Sequence, residues 1–209
     1  MCCLVPFGHP RETVISIPPL PTPSEEIESD LALFTVNDSV ALFVDRVCTH
    51  TPSFQVDTTN VIQVGRICRY LEGIPYALEL AAMRCRDSSL QAVCEELEAA
   101  SSVGEACSTL ARVIAWSYEK LEETPQILLQ RLSVLSGAWT LETAETVGSD
   151  ERIELWEVLD FLNELLDRNL VLYEEEEGTP HYRLHHTVRQ FALKLLQERG
   201  EESVIRERY

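Results

Sequence analysis

The chain has 209 residues, with 17 Lys and Arg against 35 Asp and Glu, for a formal net charge of −18. Split at Gly104, the two parts carry 6 basic against 14 acidic and 11 basic against 21 acidic side chains, so no basic domain hides inside the total. Binding along a phosphate backbone needs clustered cations, so direct DNA binding is not expected of this composition.

The seven cysteines include no C-x-x-C pair, and Cys68, Cys85 and Cys94 sit among apolar helical positions as buried thiols would. Scattered unpaired thiols suit a reducing, cytoplasmic setting. No run approaches the roughly 20 apolar residues of a membrane span, so no membrane partner is expected. The start, MCCLVPFGHP, lacks the basic and apolar regions of a signal peptide.

Residues 1–30 read as an extended connector: Val14 to Ile17 suits a short strand, and Pro18, Pro19, Pro21 and Pro23 exclude a helix interior. Residues 31–103 read as a small four-helix bundle. Its helices are expected over Ser39 to Cys48, with Val40, Leu42, Phe43 and Val47 buried, then over Asn60 to Leu71, Ile74 to Cys85 and Ser89 to Ala99. Asn60 or Thr59 suits the second N-cap, and Asp87 or Ser88 the fourth. Gly73 supplies the left-handed position that ends the second helix, and Pro75 opens the third at its first turn.

Residues 104–209 change rhythm. Helices are expected over Leu110 to Leu121, Pro125 to Leu135 and Leu141 to Val147, followed by the longest, Glu151 to Arg168. Leu155, Leu159, Leu162, Leu165 and Leu166 are its expected core stripe. Two strands, Leu170 to Tyr173 and His181 to Leu184, flank a glutamate-rich turn, and a last helix runs from His185 to about Arg199. The fold expected is therefore mainly α: a helical bundle followed by a winged helix with a β-hairpin.

The string ICRYLEGIPYALELAAMRCR, Ile67 to Arg86, resembles the "LxGxPLALELAA" segment of the STAND ATPases, the AP-ATPase or NB-ARC-like switches of bacterial LuxR-type regulators, with Tyr76 in place of the usual leucine. VISIPPLPTPSEEIESD is similar to the "GExvxxxPLPxP" lead-in to their helical domain. WSYEKL, LQRLSVLSGAWTLETAE and YRLHHTVRQFALKLL resemble their winged helix. The resemblance implies that the chain starts where an ATPase core ends, as the helical and winged-helix part of an ATP/ADP-switched signalling protein. It implies cofactor-contacting roles for Gly73 and Pro75 in the "GxP" motif, whose proline packs on adenine. His185 matches the histidine of "MHD", which meets the ADP β-phosphate, while His186 replaces the aspartate. Complete relatives would use ATP or ADP with Mg²⁺; the partner implied for this chain is a protein or the nucleotide-binding domain it lacks. Pro75 and His185 should then face one shared concavity.

Catalysis by the chain itself is not expected. A P-loop needs two glycines five apart followed by Lys and Ser or Thr; no two of the eight glycines are so spaced, and neither Lys120 nor Lys194 follows a glycine. His181, His185 and His186 lack a completing ligand, so no metal site is expected. Two readings remain: a non-catalytic regulatory and interaction module of a STAND-type switch, or a free-standing winged-helix transcriptional regulator that binds DNA. Acidic groups on Glu151 to Arg168 and on the glutamate turn weigh against the second.

Overall fold

A computed structural model describes residues 17–101, 109–176 and 178–209. The strand expected from Val14 falls, apart from Ile17, outside them.

A 3₁₀ turn, Glu25–Ser29, leads into α1 (Leu31–Thr35), where the Asp30 carboxylate accepts the N–H groups of Ala32 and Leu33. In α2 (Asp38–His50), Asn37 caps the start and Val40, Phe43 and Val47 form the buried stripe. α3 (Val61–Tyr70) buries Val64, Ile67 and Cys68, and α4 (Pro75–Arg84) buries Tyr76, Ala77, Leu78, Leu80, Ala81 and Ala82. α5 (Leu90–Ser101) packs on α3, and α2 packs on α4. Two caps differ from expectation. The Asn60 amide oxygen turns back to accept the Asp57 N–H, and Ser89, not Asp87 or Ser88, caps α5 by accepting from Ala92.

The corner between α3 and α4 is built on Gly73. Its φ is +66°, and a Cβ there would sit 1.9 Å from the Leu20 carbonyl oxygen. The close approach is a backbone bond, Leu20 N–H to Gly73 O at 2.9 Å, which straps the proline-rich segment across the corner.

In the remaining chain α6 (Thr109–Glu119) packs against α4, α5 and α10 (His186–Glu198). Next come α7 (Glu123–Leu132), α8 (Leu141–Gly148) and α9 (Glu157–Asp167), followed by antiparallel strands β1 (Leu172–Glu176) and β2 (Thr179–Arg183). α10 and a short α11 (Glu202–Arg206) close it. Trp139, between α7 and α8, exchanges both backbone bonds with Tyr182 at 2.9 and 2.8 Å, adding a third short edge to the hairpin. Helix, edge, helix, helix and hairpin in that order are the architecture of a winged helix-turn-helix.

The expected helix over Glu151 to Arg168 is shorter at its start. Asp150 accepts the N–H groups of Arg152 and Ile153, holding a turn that delays α9 to Glu157. The shift changes which leucines are buried. Ile153, Val158, Leu162 and Leu165 enter the core, whereas Leu155 and Leu159 stay exposed. The strands run later and earlier than expected respectively, so Glu174 and Glu175 stand in β1 rather than in a turn.

Buried side chains from Phe34 to Ile205 form one continuous cluster across the helices α1 to α11 and β2. Each fully buried Leu, Ile or Phe contributes on the order of 1.5–3 kcal/mol. Arg131 is the principal charge within this interior: it bonds the Gly148 carbonyl and the Asp150 carboxylate.

Candidate functional site

Tyr76, next to Pro75, and His185 are remote in sequence, and the structure brings these two rings together at one seam. The first turn of α4 faces the hairpin and the start of α10. Tyr76, the residue after Pro75, stacks its ring on the His185 imidazole, with centroids 4.2 Å apart and planes 18° from parallel. The Tyr76 hydroxyl donates to the Asn169 carbonyl at 2.6 Å, where the backbone turns through φ +57° after α9. Arg86, two residues past the end of that helix, pairs with Asp167 at 3.1 Å. Contacts from the first turn of α4 and from just beyond its end therefore reach the end of α9 and the start of α10.

Each sequence-marked residue has a definite structural position. Gly73 is buried under Leu20, and Pro75 is exposed at the first position of α4. His185 is half-buried and acts as the N-cap of α10, its Nδ1 accepting the Thr187 N–H at 3.3 Å. That bond fixes Nδ1 as the unprotonated nitrogen. Burial pushes the His185 pKa below the ordinary histidine value, with Arg183 and His186 acting in the same direction and Glu79 opposing them. At neutral pH the ring is uncharged. The N-terminus of α10 is thus satisfied by its own cap, while α4, whose N-cap Ile74 has no polar side chain, is not capped in this way. Tyr76, recognised from sequence only as a departure from leucine, is one of the residues that join the two halves. A tyrosine at the second position of an apolar helix, with a hydroxyl needing a partner, was the available signal.

The three histidines at the hairpin do not assemble a metal centre; among the described residues no group of three or more His, Cys, Asp and Glu side chains could hold an ion. Cys68 and Cys94 are buried and Cys85 partly so, and burial pushes the Cys68 and Cys85 thiols up to about 12, as inert thiols.

A second surface is the outward stripe of α9. Val158, Leu162 and Leu165 face the core, which leaves Leu159, Asp160 and Asn163 outward, with Leu155 and Trp156 preceding them. A winged helix-turn-helix presents the second helix of its turn to a groove; α9 holds that place in the helix order here, and β1–β2 that of the wing.

Comparison with known proteins supports that assignment. Residues 121–197 match the winged helix-turn-helix domain family. The chain is 36% identical over 186 residues to an uncharacterized protein of Mycobacterium tuberculosis, Rv0894, and equally to its Mycobacterium bovis counterpart, covering 85% of this chain and 47% of the relative. It is 37% identical over 176 residues to an M. tuberculosis protein provisionally named HTH-type transcriptional regulator Rv0890c, covering 80% of this chain and 20% of that protein. The chain thus spans about half the length of the first group and a fifth of the second. It carries a winged helix-turn-helix domain and is homologous to proteins provisionally named as transcriptional regulators.

This corrects the expectation that direct DNA binding can be set aside. The domain match and the regulators' names both point toward DNA. Net charge was the wrong quantity to decide it: −18 sums carboxylates over the whole surface, whereas groove reading depends on which helix is presented and on a few local contacts.

Proposed function

We propose that the chain is a winged-helix module of a transcriptional regulator, with α9 and the β1–β2 wing as its DNA-facing surface and a regulatory rather than catalytic role. The observation that carries this reading is the order α7, Trp139 edge, α8, α9, hairpin, which coincides with the matched winged helix-turn-helix residues. On α9, Asn163 is exposed at a position suited to a base edge, and Arg152 is the exposed cation just before the helix. With carboxylates around them, phosphate contacts on this surface are few. Affinity should accordingly be modest and only gently salt-dependent, since the salt slope follows the number of phosphates neutralised. Selection of duplexes from a random pool by the purified chain, followed by anisotropy titration, tests this. Enrichment lost in Asn163→Ala and Arg152→Ala supports it; an unenriched pool refutes it.

A second reading is favoured by one observation, the Tyr76–His185 stack at the seam. The STAND resemblance gives Gly73, Pro75 and His185 a nucleotide-sensing role, and Tyr76, the residue after Pro75, touches His185. On this reading the module belongs to a longer ATP/ADP-switched protein, and the seam is its closed state. Titration of the chain with ADP, read as a shift of the His185 ring resonances, tests it; unchanged resonances at millimolar ADP remove its support.

A further inference from the structure

Trp156, Leu155 and Leu159 form the most concentrated exposed apolar group on the winged helix, at 65%, 59% and 39% exposure. Leu155 and Trp156 stand in the turn that leads into α9 and Leu159 in the first turn of the helix, so the three are crowded into five residues at its start. The group is held in place. Trp156 Nε1 donates to Glu154 Oε2 at 2.5 Å, Glu157 Oε2 accepts the Glu154 N–H at 2.9 Å, and buried Ile153 anchors the preceding turn. Around it stand exposed Glu151, Glu154 and Asp160, with Arg152 the exposed cation among them.

We propose that this face docks a basic amphipathic segment of a partner protein, and that the docked segment closes α9 to DNA. The inference rests on the reading of α9 as the presented helix. A tryptophan flanked by leucines supplies the desolvated centre of a small interface, and the carboxylates form a rim complementary to Lys and Arg. Charge selects this occupant over the others. A second copy of the chain would bring Glu151, Glu154 and Asp160 against their own equivalents in a two-fold contact. Nucleic acid held through Arg152 and Asn163 would leave the apolar centre without an apolar partner.

Trp156 reports its own docking, because Trp116 and Trp139 are each only 5% exposed and contribute little to collisional quenching. The probes are two helical leucine-containing peptides of equal length and apolar spacing, one with lysines and one with glutamates on the polar face. With the intact chain, the lysine peptide should protect Trp156 from acrylamide in a saturable, salt-weakened manner, and the glutamate peptide should not. Leu155→Ser with Leu159→Ser should weaken protection about tenfold, the effect of losing a modest hot spot. Glu151→Gln with Asp160→Asn should weaken it too, and both variants should keep the parent thermal midpoint because the altered groups are exposed. Equal protection by both peptides, protection undiminished in the variants, or protection that grows with protein concentration alone would overturn the proposal. So would a DNA duplex that shields Trp156 while the lysine peptide does not. If the lysine peptide docks and no duplex binds, the docking face stands and the DNA reading fails. If both bind without competing, the masking role fails.

Discussion

Replacing Tyr76 by Phe removes one oxygen atom and isolates the bond that ties α4 to the turn after α9. The hydroxyl donates to the Asn169 carbonyl at 2.6 Å, and Tyr76 is 8% exposed. A buried neutral hydrogen bond contributes about 0.5–1.5 kcal/mol net, and leaving the carbonyl without its donor adds to the loss, so about 1–2 kcal/mol is expected. The ring stays, so the stack on His185 is kept. In a chain of this size that corresponds to a fall of about 2–8 °C in Tm. His185→Ala removes both the stack, about 0.5–1.5 kcal/mol, and the α10 cap, about 1 kcal/mol. A double-mutant cycle between Tyr76→Ala and His185→Ala then separates the stack from the cap, since only the stack couples the two residues. Urea unfolding followed by circular dichroism supplies the four free energies. A Tyr76→Phe loss below about 0.3 kcal/mol, together with a coupling near zero, would show that α4 and the winged helix do not engage in this way.

Three further outcomes follow from the same geometry. Gly73→Ala should destabilise by more than the about 1 kcal/mol of an ordinary left-handed position, because its Cβ would meet the Leu20 carbonyl; a Tm equal to the parent would contradict the strap. Arg131→Met should cost about 1–3 kcal/mol, read from the urea midpoint, because the Gly148 carbonyl loses its donor while partly exposed Asp150 keeps the Arg152 and Ile153 N–H groups. His185 is neutral in the folded chain with a lowered pKa, so the unfolded chain takes up the proton first as pH falls through about 6.5. Its contribution is therefore complete above that value and declines below it. His185→Asn keeps a capping oxygen but cannot titrate, so its stability should fall less between pH 7.5 and 5.5; parallel profiles would refute the assignment.

Much of the architecture was legible because the packing is local and periodic. Val40, Phe43 and Val47 occupy the α2 stripe that their spacing implies, and Gly73 and Pro75 form the corner that their backbone preferences require. The start of α9 was not legible, because periodicity cannot tell a leucine facing the core from one in a preceding turn. Asp150 decides it by capping Arg152 and Ile153, which turns Leu155 and Leu159 outward. That the first turn of α4 meets the start of α10 could not be read from spacing. The contact that joins them, Tyr76 on His185, spans more than a hundred residues and leaves no local pattern. Charge misled for a related reason: composition gives a sum, and function depends on which few groups a helix presents.

The proposed function rests on α9 being a helix that reads DNA, and selection from a random duplex pool measures that directly. The account predicts an enriched sequence that the purified chain binds saturably, with binding lost in Asn163→Ala and Arg152→Ala and retained in Lys194→Ala on the exposed side of α10. A pool that stays random after repeated rounds at low salt, with the chain folded throughout, would contradict it.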